Sequence, residues 1–314
     1  MDDCDDPVWA DAYAGQAPPL SEIFSLTLVR QVGEAEALRR IGGLPDTIAT
    51  RTPTEIEDLH NFDDGYPTVA SVLPLGAWTV VFEPQGWESA GLTPMLSDGT
   101  EAVSVLRHDY ASPEFSYAVD GELITQFDPT FPADRRGADP DRLLRGMREV
   151  GFAVDDDDGQ FDGAIARSLR LAKQLTGVLP TFEALTGPLT SAHIEPWFST
   201  ARKPAATRPG HDGPVDAVAE VRRISSQLGL ADTPALSDAL TAAEHATLVR
   251  VSPDSPLGRH VRAWLTDARR AEWSLSSSVE RHRMNDAERR RAFDLGRLVL
   301  ALGAALQPDT ASTD

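Results

Sequence analysis

The chain has 314 residues, 41% hydrophobic and 25% charged, a composition ordinary for a soluble globular protein and long enough to bury a core without staples. A single cysteine, Cys4, excludes an intrachain disulfide and any zinc site built on several thiolates. The formal charge of −20 repels a phosphate backbone and argues against nucleic-acid binding.

That charge is unevenly spread. Residues 215–306 hold 13 Arg against 12 Asp and Glu, the tail adds Asp309 and Asp314, and residues 1–214 therefore carry −19. The basic residues are 27 Arg and only two Lys, Lys173 and Lys203. No apolar run approaches the roughly 18 residues of a membrane span, and "MDDCDDPVWA" has neither a basic start nor an apolar stretch behind it. A cytoplasmic protein without a membrane partner is the expectation.

In chain order, residues 1–20 read as an acidic, flexible arm ending in "QAPPL". "EIFSLTLVRQV" alternates Ile23, Ser25, Thr27 and Val29 with Phe24, Leu26 and Leu28, the pattern of a strand covered on both faces. "GEAEALRRIGG" follows as a short helix stopped by Gly42-Gly43. "TVASVLPLG" and "AWTVVFEP" flank a short connection that suits a hairpin, and "TEAVSVLRHDY" is a further strand. "EFSYAVDGELITQFD" predicts a hairpin whose Asp120-Gly121 supplies the two positive-φ positions of a type I′ turn.

"DPDRLLRGMREVGF" predicts a helix with Asp139 as N-cap, and "AIARSLRLAKQLTG" a second with Gly177 as its stop. Residues 199–214, rich in Pro, Gly and Ala, read as a linker. Beyond them the periodicity is helical throughout. Thr233 and Ser255 are the expected caps of two helices, and Asn285-x-x-Glu288 is a capping-box signature. In the last helix Phe293, Leu298, Leu302 and Ala305 are expected to face inward. The fold class that results is α+β. An antiparallel meander of five or six strands with flanking helices (21–198) precedes an all-helical region (215–306) and a short tail (307–314).

The motifs of nucleotide, metalloprotease and α/β-hydrolase chemistry do not occur, and no cofactor or metal site is expected. Asp155 to Asp158 read as a solvated connector, since four adjacent carboxylates cannot converge on one ion. His193-x-Glu195 lacks the downstream cysteines that a zinc deaminase requires. Arg281, Arg283, Arg289, Arg290 and Arg291 are the basic concentration and a candidate contact for an acidic partner or for the acidic front half of the same chain, although interleaved acids at helical spacing use much of that charge locally.

Glu83, at the end of "WTVVFE", is the first catalytic suspect. A carboxylate near Trp87 could act as a general acid, but such chemistry usually needs a second group, and Glu88, Asp98 and Glu101 are too generic to choose among. The structural alternative has Trp78, Phe82 and Trp87 anchoring the sheet and its turn while Glu83 accepts backbone or indole N–H bonds in the Pro84–Gly86 loop. Trp78 and Trp87 are also candidate binding residues.

Taken together, "SLTLVRQVGEAEALRRIGG", "WTVVFEPQGWES", "TEAVSVLRHDYASPEFSYAVDGELITQFDP", "DPDRLLRGMREVGF" and "LTGVLPTFEAL" resemble an uncharacterised domain family common in actinobacteria, over residues 20–190. The resemblance implies an actinobacterial, cytoplasmic origin and brings no activity with it. The functional expectation is a non-enzymatic interaction or regulatory module, an adaptor or immunity-type binder of a basic protein partner. The alternatives are a hydrolase or transferase with a dispersed carboxylate site, and a subunit that docks through its C-terminal helices.

Overall fold

The computed structural model describes residues 7–11, 20, 22–156, 158–199, 217–245 and 249–306. The chain divides into two compact units, Met1–Leu59 with Thr68–Ala201, and His60–Pro67 with Arg202–Asp314. The expected continuous domain over 21–198 is thus interrupted: eight residues between its second helix and third strand go with the helices. Residues 200–214 of the expected linker and the tail from 307 lie outside the described residues.

The first unit is built on nine strands: β1 (Ile23–Arg30), β2 (Ala49–Arg51), β3 (Thr68–Leu75), β4 (Trp78–Glu83), β5 (Glu101–His108), β6 (Glu114–Val119), β7 (Glu122–Phe127), β8 (Arg135–Arg136) and β9 (Leu189–Ile194). They form one sheet in the order β2-β9-β3-β4-β1-β5-β6-β7-β8, with every pair antiparallel. Five or six strands was an undercount. β2 and β8 are too short for alternation to register. β9 lies beyond the predicted helices, where "LTSAHI" is buried on both faces and gives a weak alternating signal.

The order also departs from a meander. β1 sits between β4 and β5, so the chain leaving β4 crosses β1 before it reaches β5. The connection carries two of the seven helices of this unit: α1 (Glu34–Arg40), α2 (Pro53–Glu57), α3 (Glu88–Gly91), α4 (Thr93–Leu96), α5 (Leu144–Glu149), α6 (Ala164–Thr176) and α7 (Phe182–Thr186). The β6–β7 hairpin turns at Asp120 (φ 50°) and Gly121 (φ 83°), as the type I′ geometry requires. α5 starts at Leu144 and not at Pro140, so Asp139 is no cap; its carbonyl accepts the Thr125 hydroxyl instead.

Both faces of the sheet are covered. Phe24, Leu26, Leu28, Val80 and Phe82 pack with Met147 of α5, Leu169 of α6 and Leu185 of α7. Val29, Val72, Val81 and Ala102 pack on the other face with Leu38 of α1 and Leu96 of α4. The expected flexible arm is in part fixed here. Pro7–Asp11 forms a 3-10 turn, Ala10 is fully buried, and the Trp9 ring lies 6.0 Å from Phe24 and 5.8 Å from Phe182. Burial of an indole outweighs the acidic composition of the segment. Residues 1–6 and 12–19, Cys4 among them, lie outside the described residues.

The second unit holds α8 (Ala217–Leu228), α9 (Leu236–Glu244), α10 (Pro256–Ser276) and α11 (Asp286–Leu306), with α11 packed on α8 and α10. Ser255 caps α10 by accepting the Gly258 N–H at 3.0 Å. The capping box of α11 is present, with Asn285 N–H donating to Glu288 at 2.8 Å and Glu288 N–H to Asn285 Oδ1 at 3.0 Å. α9 differs: its N-cap is Ala235, at φ 64°, and not Thr233. Phe293 also departs from expectation, because Ala292 and Leu295 take the inward positions and leave it 39% exposed. No helix among the described residues is long and apolar enough to cross a membrane.

His60–Pro67 is an aromatic insertion into this unit. Phe62, 5% exposed, stacks on His282 at 4.2 Å and 9°, with the Arg270 guanidinium over its ring 5.2 Å from the centroid. Tyr66 packs on Trp273 at 4.6 Å. Cleavage at a protease site inserted within residues 200–214 is therefore expected to leave two fragments that co-elute on size exclusion, since residues 60–67 remain among the helices. Phe62→Ala, which removes a buried ring worth about 3–5 kcal/mol, is expected to release them. Wild-type fragments that separate at once would refute the insertion.

Candidate functional site

Glu83 ends β4 directly opposite Ser25 of β1 and is fully buried. Its Oε1 accepts the Ser25 hydroxyl at 3.1 Å and the Ser89 N–H at 2.6 Å, and its Oε2 accepts the Glu88 N–H at 3.2 Å. Ser25 and Ser89 hydroxyls lie 2.9 Å apart. The loop closes tightly over the carboxyl: a Cβ on Gly86 would meet Oε2 at 2.4 Å. Burial pushes the Glu83 carboxyl above its usual range, and the hydrogen bonds from Ser89 and then Ser25 pull part of that back.

Glu83 thus ties the entry of α3 to the sheet. Its N–H donors are Glu88 and Ser89, beyond the Pro84–Gly86 loop, and no indole is involved. Glu88 gives its backbone N–H to the carboxyl, and its own negative charge adds to the upward push on Glu83. Glu101 pairs with Arg30 at 2.7 Å and accepts the Tyr117 hydroxyl at 2.9 Å, while Asp98 offers its carbonyl to Arg40.

The remaining candidate residues separate in the same way. Trp78 is 6% exposed within the core, whereas Trp87 is 49% exposed. Arg289 pairs with Asp286 one turn away, Arg291 donates to the Leu228 carbonyl at the end of α8 at 3.2 Å, and Arg290 is exposed. Asp155 pairs with Arg148 at 3.1 Å and Asp156 accepts the Asp158 N–H, so the acidic connector is partly spent locally; Asp157 lies outside the described residues. Among the described residues no group of three or more His, Cys, Asp or Glu is arranged to hold a metal ion.

What sequence reasoning missed is a cleft of about 610 Å³ at the end of the sheet. Asp11 of the N-terminal turn, Arg107 to Asp109 at the end of β5, Asp128 after β7, and Phe131, Phe161 and Asp162 line it, together with the start of α6. Its two anion-attracting elements are already occupied. Arg107, 4% exposed, grips Asp109 through two parallel bonds of 2.8 and 2.7 Å and donates to the Ala10 carbonyl at 2.9 Å. Asp11 takes the N–H groups of Ile165 and Ala166 at the start of α6, at 3.0 and 2.7 Å.

Four aspartates against one arginine leave the lining negative. Its walls are aromatic. Phe131 (41% exposed) and Phe161 (68%) meet edge to face at 5.9 Å. On the neighbouring side Trp87 lies 5.3 Å from His108, and His108 lies 6.5 Å from Tyr110, which is 74% exposed and donates its hydroxyl to Glu22. His108 Nδ1 is buried with no hydrogen-bond partner among the described residues. No local signal in the sequence marked this cleft, because its lining residues come from segments far apart in the chain.

The burial of Glu83 sets a pH dependence. A carboxyl whose folded pKa is raised above 4.5 keeps its proton longer in the folded chain, so ionising it removes stability as pH rises from that value. Glu83→Gln cannot ionise. The melting-temperature advantage of the wild type over Glu83→Gln is therefore expected to be fully present below pH 4.5 and to shrink as pH rises above it. A difference that stays flat across that range would show that Glu83 folds without holding its proton.

No curated protein and no solved structure matches the chain. A family model does match, over residues 3–192, which take in Glu83, the cleft and the sheet as far as Ala192 within β9. The chain belongs to that family, described as a family of unknown function (DUF6461).

Proposed function

We propose that the sheet-bearing unit is a non-enzymatic interaction module that captures a basic protein partner, with the cleft and its aromatic rim as the contact surface. The observation that supports this is an acidic depression lined by exposed Phe131 and Phe161, whose lining residue His108 also meets the exposed rings of Trp87 and Tyr110. Exposed aromatic side chains supply large contact area at small entropic cost and are enriched at interface hot spots. The −19 carried by residues 1–214 adds a field that steers cations inward and turns nucleic acid away. An actinobacterial cytoplasm, which the Arg-over-Lys bias suits, is the proposed setting.

The hydrolase or transferase alternative loses its leading residue, because Glu83 is sealed. Docking of the chain as a subunit keeps an observation of its own. Phe293 and Leu300, 39% and 65% exposed, stand seven residues apart on one face of α11. Phe293→Asp with Leu300→Asp is expected to leave the helices folded and to abolish that docking.

Affinity capture decides between the two surfaces. A partner held at about 0.1 M salt is expected to be released at about 1 M, where the Debye length falls from ~10 to ~3 Å. It is also expected to be lost from Trp87→Ala and Tyr110→Ala protein but kept by the α11 double variant. Retention by the Trp87 and Tyr110 variants, with loss from the α11 variant, would transfer the function to the helices.

A further inference from the structure

The loop that carries Phe161 is held more firmly than a solvated connector needs to be. Gln160 makes a reciprocal pair with Ala153, its side chain accepting the Ala153 N–H at 3.0 Å and donating to the Ala153 carbonyl at 2.8 Å. Its own N–H donates to the Thr130 carbonyl at 2.8 Å. From α6, the Arg167 guanidinium reaches back to the carbonyls of Asp162 and Gln160 at 2.8 and 2.9 Å while lying 5.2 Å from the Phe152 centroid. Five hydrogen bonds and a cation–π contact thus fix a loop whose central ring is 68% exposed. A ring that exposed adds little to folding, so the bracing serves its presentation.

Gly159 completes the arrangement. A Cβ there would lie 2.5 Å from Phe161 Cε2 and 3.3 Å from Phe131 Cε1, so the missing side chain lets the two rings settle against the backbone. The same cleft presents Asp128 and Asp162. Of these, Asp128 Oδ1 is taken by the Thr130 N–H and hydroxyl at 2.8 and 2.6 Å.

We propose that this cleft is a receptor for one arginine side chain of the basic partner, its guanidinium lying on the Phe131–Phe161 pair and meeting the cleft carboxylates. This rests on the interaction-module reading and names the group that the module recognises. Guanidinium suits the site better than ammonium. It is planar, stacks on aromatic faces, and forks onto a carboxylate, whereas ammonium is a strongly hydrated point charge. The domain already makes both contacts with its own arginines, Arg107 on Asp109 and Arg167 on Phe152. The arginine and helix start that would attract an anion are already engaged by Asp109 and Asp11, so the opposite ligand sign is disfavoured.

Three acetylated tripeptide amides, Gly-Arg-Gly, Gly-Lys-Gly and the neutral isostere Gly-citrulline-Gly, test the site by titration against the full chain, followed through the ring protons of Phe131 and Phe161. The arginine peptide is expected to shift those rings and to bind more tightly than the lysine peptide, with the citrulline peptide failing. Phe161→Ala, Asp162→Asn and Gly159→Ala are each expected to weaken binding about three- to thirtyfold, the range of a desolvated cation–π contact. Gly159→Ala is the sharpest of these. It displaces an exposed ring and leaves the core alone, so its melting temperature should match the wild type. Equal binding of arginine and citrulline peptides, or wild-type affinity in all three variants, overturns the proposal. A captured basic partner that stays bound to Phe161→Ala and Asp162→Asn protein sinks the arginine site and spares the module. Tripeptide binding without any salt-sensitive protein partner sinks the module and leaves the site.

Discussion

Strand β1 is buried on both faces, and most of the first unit follows from the need to satisfy it there. Phe24, Leu26 and Leu28 fill one face, and Ser25, Thr27 and Val29 point to the other. Its backbone is paired on both sides, by β4 and β5. Two hydroxyls on a fully buried strand must find partners within the protein, because an unpaired buried donor costs about 1–3 kcal/mol. Thr27 donates to Ser104 on β5 at 2.9 Å, and Ser25 donates to Glu83 on β4. Glu83 is therefore a consequence of the polar residues on β1 and of the helix that must start above them.

That constraint also explains where function can lie. The polar groups inside the sheet layer bond to one another and are closed to solvent. The residues of the proposed contact surface stand where the strands run out. β5 ends in Arg107 and His108, β7 ends before Asp128, and α6 begins beside Asp11. Covering both faces of the sheet with helices leaves its ends as the open surface, and the cleft occupies one of them.

The two units are joined by more than the chain between residues 199 and 217. His60–Pro67 leaves the sheet unit after α2, packs Phe62 and Tyr66 among the helices, and returns as β3. A segment that crosses twice cannot be withdrawn without breaking its aromatic contacts. The helical unit is thus completed by residues from the other half of the sequence.

Local physics was legible in the sequence. The two-sided alternation of β1, the positive-φ pair Asp120-Gly121, the Ser255 cap and the Asn285 capping box each depend on residues within a few positions, and each is present. The sequence also offered the reading of Glu83 as an acceptor of N–H bonds beside its turn, and the carboxyl accepts the N–H groups of Glu88 and Ser89. Tertiary structure alone decided the rest. The insertion of β1 between β4 and β5, the sealing of Trp78 and Glu83, and the addition of β9 are choices of strand pairing, which depends on residues far apart in the chain. The cleft is the clearest case. Asp11, Arg107, Asp128 and Phe161 share no periodicity or spacing, and they meet because antiparallel register brings strand ends from distant segments to one edge of the same sheet.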